Sequence, residues 1–246
     1  DDGRNAMDIA TLGAALQSAA EADLPVFIHP QKETLGSSPD SEVAAVDEAL
    51  IALEDVPTAR LHLQHVSTRR GVDLIRLAKR HGLTITAEVT PHHLTLTYQD
   101  VEKIGPQGNV NPPLRSADDR AAVLEGLAEG VIDVIATDHA PHDAAAKAAG
   151  ASGFHGLETA LPVVLGLGLE PRVLYRALIQ GPYEIVNHSR EADWILIDPD
   201  VEWTVDPSSF RSRGRNTPLP GRRLRGRVVM TICRGQVLFE RMVQRV

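Results

Sequence analysis

The sequence predicts an α/β protein with a parallel sheet and crossover helices, followed by a smaller antiparallel β segment. Three observations support this prediction. Short apolar runs alternate with longer helical patterns over the first two-thirds of the chain. Each of four apolar runs is followed by polar or ionisable residues, and after about Glu191 the helical patterns stop.

The predicted helices and strands of the first two-thirds follow each other in strict alternation. In chain order they are a helix at 11–22, a strand at 25–28, a helix at 41–53, a strand at 61–66, a helix at 71–81, a strand at 83–89, a helix at 118–128 and a strand at 131–137. Gly82 and Gly130 mark two helix ends. This βαβα order is typical of a parallel sheet.

The last part of the chain has a different pattern. Residues 194–197 and 201–205 are either apolar throughout or alternate between apolar and polar residues. Residues 224–239 are predicted to form two strands joined by a turn at Arg234-Gly235. We therefore expect a small antiparallel β subdomain at 191–246, preceded by a domain at 1–190.

Composition excludes several classes of protein. The 246 residues are 43% hydrophobic and carry a formal net charge of −8, which suits a globular core and argues against general nucleic-acid binding. No apolar run approaches the roughly 18 residues of a membrane span, the start does not resemble a secretory signal, and Cys233 is the single cysteine. We expect a cytoplasmic protein without a membrane or nucleic-acid partner. Seven arginines between Arg211 and Arg227 are interpreted as a solvated surface or a subunit contact.

Candidate metal ligands stand at three predicted strand ends. His29, His65 and Asp138 each follow a strand, and in parallel α/β folds the carboxyl ends of strands gather into one site. Imidazole and carboxylate are the usual ligands of catalytic zinc. Asp138 could also accept a proton from a metal-bound water, and His142 could then face a substrate. Any one of these residues, taken alone, is more often structural.

Two further segments are candidates for binding or support. The loop that contains Asn111 is stiffened by Pro112 and Pro113, and its amide could both donate to and accept from a cyclic imide or ureide. An ordinary proline turn is the alternative. The adjacent His92 and His93 are interpreted as mainly structural.

Several motifs in this order resemble the dihydroorotases of the amidohydrolase superfamily. They are Asp1-Asp2-Gly3, Leu61-His62-Leu63-Gln64-His65-Val66-Ser67-Thr68, Thr90-Pro91-His92-His93-Leu94, Asn111-Pro112-Pro113-Leu114-Arg115, Ala136-Thr137-Asp138-His139-Ala140-Pro141-His142, Gly156-Leu157-Glu158-Thr159-Ala160 and the segment 226–235. The resemblance implies a (β/α)8 TIM barrel of the metal-dependent amidohydrolase type, of which this chain would hold roughly the C-terminal half plus the small β subdomain.

The resemblance also implies roles for individual residues. His29 and His65 resemble metal ligands of the fifth and sixth strands, and Asp138 resembles the eighth-strand ligand and general base. Asp2 falls where related enzymes have a metal-bridging carboxylate. Substrate contacts are implied for a further set of residues: Asn111, His142, Ser152 and Gly153.

The activity that the resemblance implies is the reversible, zinc-dependent hydrolysis of dihydroorotate to N-carbamoyl-aspartate in pyrimidine biosynthesis. One or two zinc ions would polarise the ring carbonyl, and Asp138 would carry the proton from the attacking water to the leaving nitrogen. A homodimer, or association with aspartate transcarbamoylase, is the expected assembly.

Departures from the family leave alternatives open. No His-x-His pair occurs in the 246 residues, although the family has one on its first strand, and 30–58 is shorter than usual. The chain is therefore expected to lack the first strands and to be inactive as written. One alternative is a non-catalytic scaffold that associates with aspartate transcarbamoylase. Another is a different cyclic amidohydrolase, such as an allantoinase or hydantoinase.

Overall fold

A parallel sheet and an antiparallel sheet form the framework of the protein. The structure, a computed structural model, describes residues 7–188 and 193–241. The parallel sheet contains β1 (Pro25–Ile28), β2 (Arg60–Leu63), β3 (Ile85–Val89) and β4 (Val134–Ile135), adjacent in that order. The antiparallel sheet contains β5 (Trp194–Thr204), β6 (Arg223–Cys233) and β7 (Gln236–Glu240). The predicted α/β class is confirmed.

Helices connect the parallel strands and also follow the last of them. They are α1 (Ile9–Glu21), α2 (Pro39–Glu54), α3 (Arg69–Arg80), α4 (Pro91–Thr95), α5 (Tyr98–Ile104), α6 (Ala117–Glu129), α7 (Ala144–Ala148), α8 (Leu157–Leu165), α9 (Pro171–Tyr175) and α10 (Gly181–Ile185). Short 3₁₀ turns lie at Glu33–Leu35, Gly105–Gly108 and Pro207–Ser209, and a π-helical segment lies at Arg176–Gln180. Side-chain oxygens of Asp8, Thr68 and Ser116 cap the starts of α1, α3 and α6.

The two faces of the parallel sheet have different chemistry because side chains alternate along each strand. Leu61 and Leu63 of β2 pack in the main hydrophobic core with residues of the helices. His62 points away from these leucines and lies in register with Thr86, two residues before Glu88. The strands therefore carry an apolar face toward the helices and a polar row on the other face.

Two predicted strands are shorter than expected, for local reasons. β2 ends at Leu63 rather than Val66 because His65 adopts a positive φ of 34°, which an extended strand cannot hold. β4 begins at Val134 rather than Val131 because the amides of Val131 and Ile132 bond to the Gly126 carbonyl and close α6.

The antiparallel sheet confirms the predicted turn at Arg234-Gly235. Both residues have positive φ, 49° and 79°, as the type I′ form of a two-residue hairpin turn requires. The predicted runs 194–197 and 201–205 join into the single strand β5, which bulges between Asp198 and Glu202.

Acidic and aromatic residues on β5 pair with part of the arginine-rich segment. Arg223 and Arg225 form ion pairs with Glu202 and Asp200, and the Arg227 guanidinium lies 4.6 Å above the Trp203 ring. The charges of Arg223 and Arg225 are thus balanced within the sheet, in keeping with a solvated sheet surface.

The predicted division between 1–190 and 191–246 falls at residues 189–192, which lie outside the described residues, so it stays a prediction. Across 7–188 and 193–241, no helix combines the length and apolar character that crossing a bilayer demands.

Candidate active site

Two predicted metal ligands lie side by side beyond the ends of β1 and β2. The ring centroids of His29 and His65 are 4.5 Å apart in an edge-to-face arrangement. His29 Nε2 lies 2.8 Å from Gln31 Oε1 and 3.3 Å from Asn111 Nδ2, and this amide also donates to Gln31 Oε1 at 2.9 Å. The structure therefore brings Asn111, a predicted substrate contact, to the same place as the two imidazoles.

His65 is a neutral imidazole with a ring nitrogen available for a ligand. Its side chain is buried, and its Nδ1 atom has no hydrogen-bond partner among the described residues. Burial, reinforced by the nearby His29 and His93, lowers the pKa of His65 to about 3. At neutral pH its ring nitrogens are thus not both protonated, which is the state that metal binding requires.

A buried pair on β2 and β3 supports the backbone at His65. His62 Nε2 donates to Glu88 Oε2 at 3.0 Å, and Thr86 Oγ1 lies 2.8 Å from His62 Nδ1. The other oxygen of Glu88 accepts from the His65 amide at 3.4 Å. Glu88, a member of the polar row on the sheet, therefore holds the amide of His65 just beyond the end of β2.

Glu42 of α2 organises the turn that follows His65. This carboxylate is 2% exposed and accepts hydrogen bonds from the amides and hydroxyls of both Ser67 and Thr68. Arg115 Nε donates to Ser67 Oγ at 3.0 Å, and its Nη1 donates to the Ser37 carbonyl at 2.7 Å. One buried cluster thus joins the loop before α2, the turn before α3 and the end of the Asn111 loop.

His93 fixes the other end of the Asn111 loop. His93 Nε2 donates to the Pro112 carbonyl at 3.1 Å, and Thr90 Oγ1 lies 2.8 Å from His93 Nδ1. The Asn111–Pro112 peptide bond is cis. The neighbouring His92 is buried between the rings of His93 and Phe154. Both histidines lie in α4, and their contacts favour the structural role predicted for them.

Stability should fall on acidification because these imidazoles are buried in the neutral form. Burial lowers the pKa of His93 to about 4, so between pH 6.5 and 4 the unfolded chain binds more protons than the folded one. The free energy of unfolding should be greatest above pH 6.5 and decrease as the pH falls through this range. Urea unfolding at several pH values would measure this decrease.

A glutamine at position 93 provides the control for this pH dependence. His93→Gln retains an amide donor but does not titrate, so its loss of stability between pH 7 and pH 4 should be smaller by up to about 3 kcal/mol. Equal losses in the two proteins would contradict the assignment of the effect to His93.

The remaining predicted substrate contacts lie together on two loops. His142 Nε2 donates to the Ser152 carbonyl at 2.7 Å, and the His142 amide donates to Asn216 Oδ1 at 3.0 Å. The Gly153 amide donates to the Asn109 carbonyl at 2.9 Å, two residues before Asn111. The structure thus places His142, Ser152 and Gly153 in one group that adjoins the Asn111 loop.

Gly153 occupies a position that no larger residue fits. Its φ is +105°, and a Cβ atom there would lie 2.6 Å from Ala140 Cβ and 2.9 Å from the Ala140 carbonyl oxygen. We expect Gly153→Ala to lower the free energy of unfolding by about 2–4 kcal/mol, through backbone strain and overpacking together. Gly150→Ala is a matched control, because Gly150 has a similar φ of +96° but open space around it. Equal losses in urea unfolding would show that crowding at Gly153 has no effect.

The described residues do not by themselves form a complete metal site. Asp138 leaves β4 in a left-handed conformation with φ of 46°, but it does not complete a three-donor cluster with His29 and His65. Indeed, within 7–188 and 193–241 no three His, Cys, Asp or Glu side chains converge as a metal site requires. Asp2, the predicted bridging carboxylate, lies outside the described residues. The roles of these residues stay predictions.

Sequence reasoning missed the residues that support the site. They are Glu42, Glu88, Lys147 and Asn216, which are all buried and bonded to loops that carry predicted site residues. Each lies in an ordinary helix, strand or loop pattern, so the sequence carries no signal that would separate it from a solvated residue.

Comparison with known proteins identifies relatives that match nearly the whole chain. No family model matches it. The chain is 42% identical to the dihydroorotase of Anaeromyxobacter dehalogenans strain 2CP-C over 274 residues, which cover 98% of this chain and 63% of that protein. The dihydroorotase of Thermus aquaticus is 39% identical over 98% of this chain and 65% of its own length. Both alignments are longer than the chain, so the relatives carry residues within the matched region that this chain lacks.

Solved structures show the same fold. The L-hydantoinase (dihydropyrimidinase) of Arthrobacter aurescens matches with a TM-score of 0.88 and 28% identity, over 96% of this chain and 61% of its own. The dihydroorotase of Campylobacter jejuni matches with a TM-score of 0.77 and 19% identity, over 92% of this chain and 67% of its own.

The parallel sheet with histidines at its strand ends is therefore part of a TIM barrel of the amidohydrolase type. Within that class, the curated relatives reported above, at 42% and 39% identity, are dihydroorotases. It spans about 63% of the length of the first of the curated relatives it matches.

Proposed function

We propose that the chain is part of a dihydroorotase, which reversibly hydrolyses the cyclic amide of dihydroorotate to N-carbamoyl-aspartate. The observation that carries this proposal is the neutral, buried His65 imidazole packed against His29 and the Asn111 amide, in a chain 42% identical to a dihydroorotase.

His29 and His65 fit a metal ion of the zinc type. Each offers an imidazole at a strand end. The buried Nδ1 of His65 has no hydrogen-bond partner within 7–188 and 193–241, and a ligand would satisfy it. Further donors would come from Asp138 or from residues such as Asp2 that lie outside the described parts of the chain. Zinc bound there would act as a Lewis acid toward the ring carbonyl of the substrate.

The chain's own residues would bind the substrate and move its proton. Asp138 is proposed to accept the proton of the attacking water and deliver it to the leaving ring nitrogen. The Asn111 amide can both donate to and accept from the ring edge. His142, together with the backbone of Ser152 and Gly153, would contact the ring from the adjoining loop.

The residues Gln31 and Lys32, which follow His29 where the family more often has an acidic pair, favour one rival function, a non-catalytic scaffold partner of aspartate transcarbamoylase. The match to a hydantoinase structure favours another, hydrolysis of a different cyclic amide. Association with aspartate transcarbamoylase, a homodimer and a cytoplasmic location stay predictions.

A ligand panel tests the proposal. We expect the chain with zinc to bind dihydroorotate and N-carbamoyl-aspartate more tightly than hydantoin or allantoin in isothermal titration. The 246 residues contain no His-x-His pair, so we expect little turnover from the chain alone. Asp138→Asn should retain binding and abolish any turnover. Preference for hydantoin or allantoin, or binding of none of the four compounds, would contradict the proposal.

A further inference from the structure

Lys147 of α7 is a buried cation whose partners all belong to loops of the candidate site. Its side chain is 1% exposed, and Nζ donates to the carbonyls of Asn109, Ala151 and Gly153 at 3.0, 2.8 and 2.9 Å. An ammonium group has three donors and no acceptor, so three carbonyls satisfy it completely. The lysine thus ties the 150–153 loop to the segment that leads into Asn111.

The carbonyls that Lys147 holds are coupled to His142. The Asn109 carbonyl also accepts from the Gly153 amide, and the Gly153 carbonyl also accepts from Asn216 Nδ2 at 3.2 Å. Between Ala151 and Gly153 lies Ser152, whose carbonyl accepts from His142 Nε2. A carbonyl oxygen only accepts, so His142 must carry its proton on Nε2, and in the neutral ring Nδ1 then holds the lone pair.

We propose that Lys147 is a positioning residue that fixes the orientation and the tautomer of His142 by clamping the carbonyls on either side of Ser152. Its importance for the reaction rests on the proposed function, in which His142 contacts the substrate ring. Burial lowers the pKa of Lys147, yet only the ammonium form can donate to all three carbonyls at once.

Other side chains cannot reproduce this clamp. Methionine has a similar shape but no donor, and it would leave three buried carbonyls without this partner. The donors of arginine are spread over a planar guanidinium group, so no single nitrogen could donate to all three carbonyls. Glutamine retains two N–H donors and should therefore have an intermediate effect.

The imidazole nitrogens of His142 give a direct test in the ¹⁵N-labelled chain without substrate. The wild-type spectrum should show one tautomer, protonated on Nε2. Lys147→Met should give averaged nitrogen shifts and about tenfold faster hydrogen exchange at the Gly153 amide. Lys103→Met, which removes an exposed lysine on α5, should match the wild type. If Lys147→Met does not fold, Lys147→Gln serves in its place.

Unchanged His142 shifts in a folded Lys147 variant would overturn the proposal, even if its melting temperature fell, because the lysine would then be structural only. Dihydroorotate affinity, measured separately, should fall about tenfold or more in Lys147→Gln if the tautomer shapes the binding site. Failure of the wild-type chain to bind dihydroorotate would count against the proposed function and leave the spectroscopic result standing.

Discussion

Replacement of Glu42 with alanine should lower the free energy of unfolding by about 3–5 kcal/mol, because it removes the carboxylate at the centre of a buried cluster. Ser67 and Thr68 would each lose an amide and a hydroxyl partner, and Arg115, whose Nη2 lies 4.0 Å from this carboxylate, would lose its nearby counter-charge. Urea unfolding at pH 7 would measure the change.

Glu54→Ala is the matched control, since Glu54 lies exposed at the end of the same helix. Its effect should stay within about 0.5 kcal/mol. Similar stabilities for the two variants would show that the carboxylate cluster contributes nothing to the fold.

Loss of the His65 imidazole should weaken zinc binding by roughly 100-fold or more. Mutation of a residue that only hydrogen-bonds to a metal ligand already lowers metal affinity by about 10–100-fold. Asparagine is the appropriate replacement, because it tolerates the positive φ of 34° at this position better than alanine does. His65→Asn should therefore keep the turn while removing the nitrogen proposed to bind the metal.

Zinc per chain after gel filtration, followed by competition with a chelator, would measure this loss. His81→Ala is the control, because His81 is an exposed imidazole at the end of α3, away from the strand ends. Retention of wild-type zinc affinity by His65→Asn would remove His65 from the set of proposed ligands.

Much of the fold could be predicted from the sequence because its signals are local. Strand 25–28 lies where the apolar run and its boundary residues place it, and Arg234-Gly235 turns the hairpin as its residue types indicate. The predicted end of β2 and the predicted start of β4 were wrong. Hydrogen bonds and backbone turns determine these boundaries, and the apolar pattern does not show them. Apolar character indicates which residues are buried and does not indicate which of them remain extended.

The candidate site was predictable only in part. His29, His65 and Asn111, which the structure brings together, could be selected as candidates because strand ends and a proline-rich loop are visible in the sequence. Glu42 and Lys147 could not, since a charged residue within a helical pattern usually faces solvent. Their burial depends on partners that are distant in sequence: Glu42 binds the 67–68 turn, and Lys147 binds Asn109.

The left-handed backbone at His65 and Asp138 limits which sequences can occupy these positions, whatever their chemistry. In a saturation library selected only for soluble expression, both positions should enrich for glycine, asparagine and aspartate, and should exclude valine, isoleucine and threonine. A second selection for zinc binding should then narrow position 65 to histidine and position 138 to aspartate, the proposed ligands. Comparison of the two selections would separate the constraint imposed by the main chain from the constraint imposed by the metal.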